Sequence, residues 1–192
     1  MATTRTTTRA ALVAVLTVAT VGCGSGSGSS SSPAVPSGDA AVAQAAAPLL
    51  APFGLRVQRS SIGKKPDPRG GAELSLYVQP TRSETADEYA ARMMPLAAAV
   101  IPQLYAKYPG IVWLDLCQEP AKSSGTWETV PVTRLELSRS GSGRVDWKRA
   151  DLAQLLALER AHQLDFSIEW HNGVGRTRVW RAAAERAKSL SG

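Results

Sequence analysis

The chain has 192 residues, 22 Lys and Arg against 16 Asp and Glu, a formal net charge of +6 and 44% hydrophobic residues. That hydrophobic share excludes intrinsic disorder for the body of the chain, and two cysteines exclude a disulfide-stapled scaffold. The weight of Ala, Arg and Gly reads as a GC-rich bacterial genome, an actinobacterial one for instance.

The first nine residues, MATTRTTTR, carry Arg5 and Arg9 and no acid. Ala10 to Val21 is an unbroken apolar or near-apolar run, followed by Gly22 and Cys23. A positive segment, a short apolar segment and a small-residue cut site make a secretory signal peptide over 1–22. The run is too short for a membrane-spanning helix, which needs roughly 20 apolar residues. One alternative stays open: a plain secretory signal cut near Ala19 or Gly22, leaving Cys23 an incidental thiol.

Thr20-Val21-Gly22-Cys23 resembles the lipobox of bacterial lipoprotein precursors, with Thr20 where Leu is usual. The resemblance implies that Cys23 is the lipidation site. It would be diacylglycerol-modified with palmitate-type chains, cut free of its signal and held at the extracytoplasmic face of the cell membrane. Gly24 to Gly38 is rich in Gly, Ser and Pro and carries no charge. It reads as a flexible tether with a root-mean-square span of roughly 20 Å. Residues 39–192 then suit one domain with a real core.

Asp39 to Gly54 opens on a capping residue and runs through alanines to Pro52, a short helix. Leu55 to Ile62 alternates weakly, as an edge strand does. Gly63 to Gly71 is a loop. Ala72 to Gln79 alternates cleanly, with Ala72, Leu74, Leu76 and Val78 on one face. A long helix follows, capped at Thr81 or Ser83, with Glu84, Asp87 and Glu88 at its positive end. Tyr89, Met93, Leu96, Val100, Leu104 and Tyr108 form its buried stripe. Pro95 and Pro102 predict kinks or a break.

Ile111 to Gln118 is apolar on both faces apart from Asp115 and predicts a central strand. After a loop, Val132 to Arg139 is another strand and Ser140 to Gly143 a turn. Asp146 to Gln163 predicts an amphipathic helix burying Trp147, Leu152, Leu155, Leu156 and Leu158. Phe166, Ile168 and Trp170 alternate in a fifth strand. His171-Asn172-Gly173 signals a turn, and a helix follows from about Thr177, with a short strand over 176–180 as the alternative. The fold class is α+β: a mixed or antiparallel sheet of about five strands, helices packed on one face, in a loose ββα-ββα order.

Motifs of chemistry are scarce. There is no G-x-S-x-G, P-loop, C-x-x-C or H-E-x-x-H. Cys117 is a nucleophile only with His162 or His171 in reach; on an apolar strand it reads as a small buried hydrophobe. His162, His171, Asp165 and Glu169 are the conceivable ligands of a surface metal site. Asp115, Glu119, Glu128 and Glu136 fall on or near neighbouring strands and would serve hydrolysis only if paired across a cleft. Trp113, Trp127, Trp147, Tyr77, Tyr105 and Tyr108 line a pocket or fill the core. Arg176, Arg178, Arg181, Arg186 and Lys188 form a basic run, a candidate contact for an anionic membrane or polymer. No cofactor is implied.

The expectation is a lipid-anchored envelope module without catalysis. Its partners are the membrane, through the lipid, and an envelope protein, polymer or small ligand, with nucleic acid excluded by export. A hydrolase using strand carboxylates and a basic membrane-surface module are the alternatives.

Overall fold

The computed structural model describes residues 34–63, 67–68, 70–120, 133–161, 166–170 and 172–190, giving backbone only for 166–170 and 172. One compact unit spans Ser32–Gly192 and holds every residue of the main hydrophobic core. The last residues of the expected tether belong to it. Pro36 is buried, and the Gly110 amide donates to the Ala34 carbonyl at 2.7 Å.

Helix α1 (Asp39–Leu50) ends in a 3-10 turn over Ala51–Phe53, closed by Gly54 at φ 62°, the left-handed conformation that suits glycine. Strands β1 (Leu55–Ile62) and β2 (Ala72–Pro80) pair antiparallel, with a bulge between Val57 and Arg59. Helix α2 (Ala86–Lys107) carries the chain to β3 (Ile111–Gln118), which lies parallel to β2. Strand β4 (Thr133–Ser138) returns antiparallel to β3. Next come α3 (Arg139–Ser142), α4 (Leu152–Arg160), β5 (Phe166–Trp170) antiparallel to β4, α5 (Asn172–Gly175) and α6 (Arg178–Leu190). The sheet is open and mixed, in the order β1-β2-β3-β4-β5, so the class is α+β. The loose ββα-ββα order of elements is present, but the two halves are connected differently. The helix after β2 leads to a parallel neighbour, whereas the helices after β4 lead to an antiparallel one.

Strand alternation decides what lies inside. Leu74, Leu76 and Val78 of β2, Leu114 and Leu116 of β3, and Leu135 and Leu137 of β4 share one core with the helices. Helix α2 supplies the largest part, and its whole predicted stripe is buried. Its cap is Thr85, later than expected: the Glu88 amide donates to Thr85 Oγ1 at 3.2 Å and the Thr85 amide to Glu88 Oε2 at 2.8 Å. The helix also continues through Pro95 and Pro102, so the break, one of the two expectations, does not occur. Pro95 and Ala91 one turn back are exposed, so water reaches the carbonyl that proline leaves without a donor.

Other boundaries shift for capping reasons. The predicted turn after β4 is helix α3, because Ser138 Oγ accepts from the Gly141 amide at 2.9 Å. The helix expected from Asp146 begins at Leu152. Asp151 and Gln154 exchange amide-to-side-chain bonds of 3.0 Å each, while 145–150 turn upon themselves. Trp147 and Leu158 are therefore only partly buried at the core edge. Asn172–Gly175 is a helical turn, and 178–190 is helix from end to end, which removes the short-strand alternative.

The C-terminus of α2 is closed by Arg139. Its guanidinium donates to the carbonyls of Tyr105 at 2.9 Å, Tyr108 at 2.6 Å and Ile111 at 2.8 Å, and stacks 4.7 Å from the Tyr105 ring. Where β2 begins, the chains approach closely. A Cβ on Gly71 would lie 2.4 Å from Val112 Cγ1 and 2.7 Å from the Gly110 carbonyl oxygen. Gly71→Ala should lower stability by about 1–3 kcal/mol, the range for overpacking. A reduced urea midpoint is the expected result, and an unchanged midpoint contradicts the close approach.

Candidate functional site

The sheet face turned away from the leucines carries polar and aromatic side chains in two cross-strand rows. Register places Arg59 opposite Tyr77, Tyr77 opposite Cys117, and Cys117 opposite Arg134. Beside them run Ser61, Ser75, Asp115 and Glu136. Arg134 is the hub. It donates to Asp115 through Nε at 3.0 Å and Nη2 at 2.9 Å, and Nη2 lies 2.8 Å from Glu136 Oε1. The Asp115 side chain is 3% exposed and that of Arg134 38%. A carboxylate this deep is tolerable because the two-pronged pair replaces its water. At the other end of the first row the Arg59 guanidinium lies 3.7 Å from the Tyr77 ring centroid and 3.5 Å from Glu119 Oε1.

These charges tune the acids between them. Burial, then the Asp115 and Glu119 charges, push the Cys117 thiol up to about 12, against the pull of Arg134 and Arg59. Burial and the Asp115 charge likewise raise the Tyr77 phenol. A thiol held protonated is no nucleophile at neutral pH.

A second polar cluster closes the carboxyl ends of β2 and β3, the place where open sheets with parallel strands commonly take ligands. The Tyr89 hydroxyl donates to the Gln118 carbonyl and accepts from the Thr133 amide at 2.8 Å. Burial raises its pKa. Arg92 forms a two-pronged pair with Glu84 and donates to Gln118 Oε1 at 2.9 Å. Gln79 Nε2 donates to the Pro120 carbonyl at 2.7 Å. Among the described residues, no buried side-chain nitrogen or oxygen lacks a hydrogen-bond partner.

The structure thus brings Asp115 and Glu136 together, but on one arginine rather than across a cleft, and sets Glu119 against Arg59. Glu128, Trp127, His162, Asp165 and His171 lie outside the described residues. Glu169 pairs through its backbone with Arg134. Among the described residues no group of three His, Cys, Asp or Glu is placed to hold a metal, and no helix is long and apolar enough to cross a membrane. Tyr105, Tyr108 and Trp180 are core residues, Trp147 donates from Nε1 to the Ser142 carbonyl at 3.1 Å, and Trp113 is half-buried.

The basic run lies along α6 and just before it. Arg176, Arg178 and Arg181 are exposed, Arg186 pairs with Asp151, and Lys188 lies 2.7 Å from Glu185. Burial opposes a low pKa for Asp151, but the Gln154 amide and Arg186 prevail and hold it below the usual aspartate value. The residues that sequence reasoning missed are Arg134 and Arg59. The signal was present: on β4, Arg134 and Glu136 alternate with Leu135 and Leu137, and one register step places Arg134 beside Asp115. Two open cavities lie among the helices. One, of about 430 Å³, lies between α2, α4 and α6; the other, of about 380 Å³, is formed by 144–150, α4 and Leu190.

Comparison with family models, curated proteins and solved structures finds no match for this chain.

Two outcomes test this geometry. Arg134→Met should cost about 3–5 kcal/mol, because it leaves Asp115 buried without its partner. Adding Asp115→Leu should recover most of the loss in urea unfolding; a mild single variant contradicts the pairing. Cys117 should resist maleimide at pH 8 in the folded protein and react on unfolding. The thiol ordinarily titrates at 9.0 and the folded one at about 12, so its contribution is complete below pH 9 and is lost as pH rises towards 12. Cys117→Ala should flatten that alkaline loss without abolishing it, since Tyr77 and Tyr89 are raised too.

Proposed function

We propose that this chain is an exported lipoprotein, anchored through Cys23 to the extracytoplasmic face of the cell membrane, whose folded unit is a non-enzymatic binding or accessory module. The observation that carries the proposal is the N-terminal series: Arg5 and Arg9, the apolar run Ala10 to Val21, Gly22-Cys23, and an uncharged Gly/Ser tract before the compact unit. No other feature of the chain calls for a cysteine at that place. Acyl chains on Cys23 would hold the module at the bilayer, on a tether spanning no more than roughly 20 Å root-mean-square.

The polar sheet face supports binding rather than turnover. Its carboxylates are engaged by Arg134 and Arg59, and its thiol is held protonated. A general acid must exchange its proton freely, whereas Asp115 and Glu136 share a fixed cation, so a carboxylate hydrolase loses support. The half-exposed groups of this face, Arg134, Glu136, Tyr77 and Trp113, favour a partner with polar groups of both signs and a planar surface. An envelope protein or polymer has that chemistry.

Intact mass of the membrane fraction after bacterial expression tests the proposal. The wild type should lose residues 1–22, gain the mass of a lipid and stay with the membrane, and Cys23→Ser should be soluble and unmodified. A mature wild-type chain without lipid overturns the anchor.

A further inference from the structure

The end of the sheet at which the described chain enters has a character of its own. Ala34 is bonded to Gly110, the residue before β3, so the chain enters at the amino end of that strand. The same end holds Lys107 in the last turn of α2, and α3 with Arg144 just beyond it. The segment 144–150 and the end of α6 enclose the cavity of about 380 Å³, whose floor includes Val145, Ala157 and Leu158 and whose rim includes Arg144 and Arg149. Among the described residues two large apolar side chains are conspicuously exposed: Val35 at 48%, beside the entry point, and Leu190 at 52%, in the cavity wall. Lys107, Arg144, Lys148, Arg149 and Lys188 are exposed on these segments, as are the acids Asp39, Asp146 and Glu185; Arg149 lies 3.8 Å from Asp146, which also lines the cavity, and Lys188 2.7 Å from Glu185.

We infer that this pole is the membrane-facing surface of the domain and that it docks on an anionic bilayer, cations at the headgroups and Leu190 and Val35 at the acyl boundary. The inference rests on the lipid-anchor proposal for its setting, since the chain that would lead from Cys23 enters the domain at this pole. Exposed apolar side chains ringed by Lys and Arg are what an interfacial surface requires. Lys188 is the member of the basic run at this pole; the start of α6 is not part of it. Arg178 sits at the opposite pole, where its amide donates to Asp87 in the first turn of α2 at 2.9 Å.

The test uses the chain from Gly24 to Gly192, which contains the whole core and no lipid, so that failure of lipidation and failure of docking are separate results. Sedimentation with phosphatidylcholine vesicles, with and without phosphatidylglycerol, gives the affinity. Binding should require phosphatidylglycerol and be released by salt. Arg144→Gln/Lys148→Gln/Arg149→Gln should weaken it by more than about tenfold, and Leu190→Gln should weaken it further, both with unchanged melting temperatures. Arg178→Gln/Arg181→Gln should leave it within about twofold. Binding that ignores phosphatidylglycerol, or a loss confined to the Arg178/Arg181 pair, overturns the inference. So does equal affinity for soluble polyglutamate with no effect of Leu190→Gln.

Discussion

The structure depends on one helix being held at both ends beneath the middle of the sheet. Helix α2 joins the parallel strands β2 and β3, and a parallel neighbour cannot be reached by a tight turn. At its start Tyr89 reaches through the core and bridges the last carbonyl of β3 to the first amide of β4. At its end Arg139 gathers the carbonyls of Tyr105, Tyr108 and Ile111, and the Tyr105 hydroxyl donates to the Leu137 carbonyl. Ten residues of the helix are buried, apolar area that helps keep it continuous through two internal prolines.

On the opposite face of the sheet Cys117 and Tyr77 pack together apart from the main core. A strand interior needs its polar groups satisfied wherever they lie deep, and this face solves the problem with charge. Asp115 is buried at the centre of the sheet, so Arg134 must stay beside it. Glu136 and Cys117 then take their surroundings from that pair. The same choice that stabilises the face ties Asp115 and Glu136 to one cation, the observation behind the proposed binding role. Function is consequently sought at the periphery: in the rim of half-exposed groups on this face and at the pole where the chain enters.

Much of this was legible in the sequence because local pattern and burial agree. Ala72 to Gln79 alternates and is a strand; Tyr89 to Tyr108 repeats at three and four and is the core helix; Leu55 to Ile62 is an edge. The misplaced boundaries are capping events, at Thr85, Ser138 and Asp151, where several Ser, Thr and Asp compete and only tertiary packing selects one. The parallel pairing of β2 and β3 could not be read, since either orientation buries the same leucines. The Arg134–Asp115 pair needed a strand register that no local signal carries. The proposed N-terminal address is the reverse case: export and lipidation machinery would read residues 1–23 as a linear motif, so its case rests on the residues alone.

Native-state hydrogen exchange tests most directly whether α2, held at both ends, organises the sheet. The slowest amides should be those of α2, β2 and β3, exchanging only through global unfolding, with β1 opening earlier. In Tyr89→Phe the Thr133 amide loses its acceptor, and the junction of β3 and β4 should open sooner, by about 1–3 kcal/mol. Slower exchange in β1 than in β3, or a Tyr89→Phe variant with unchanged protection at Thr133 and Arg134, would contradict it.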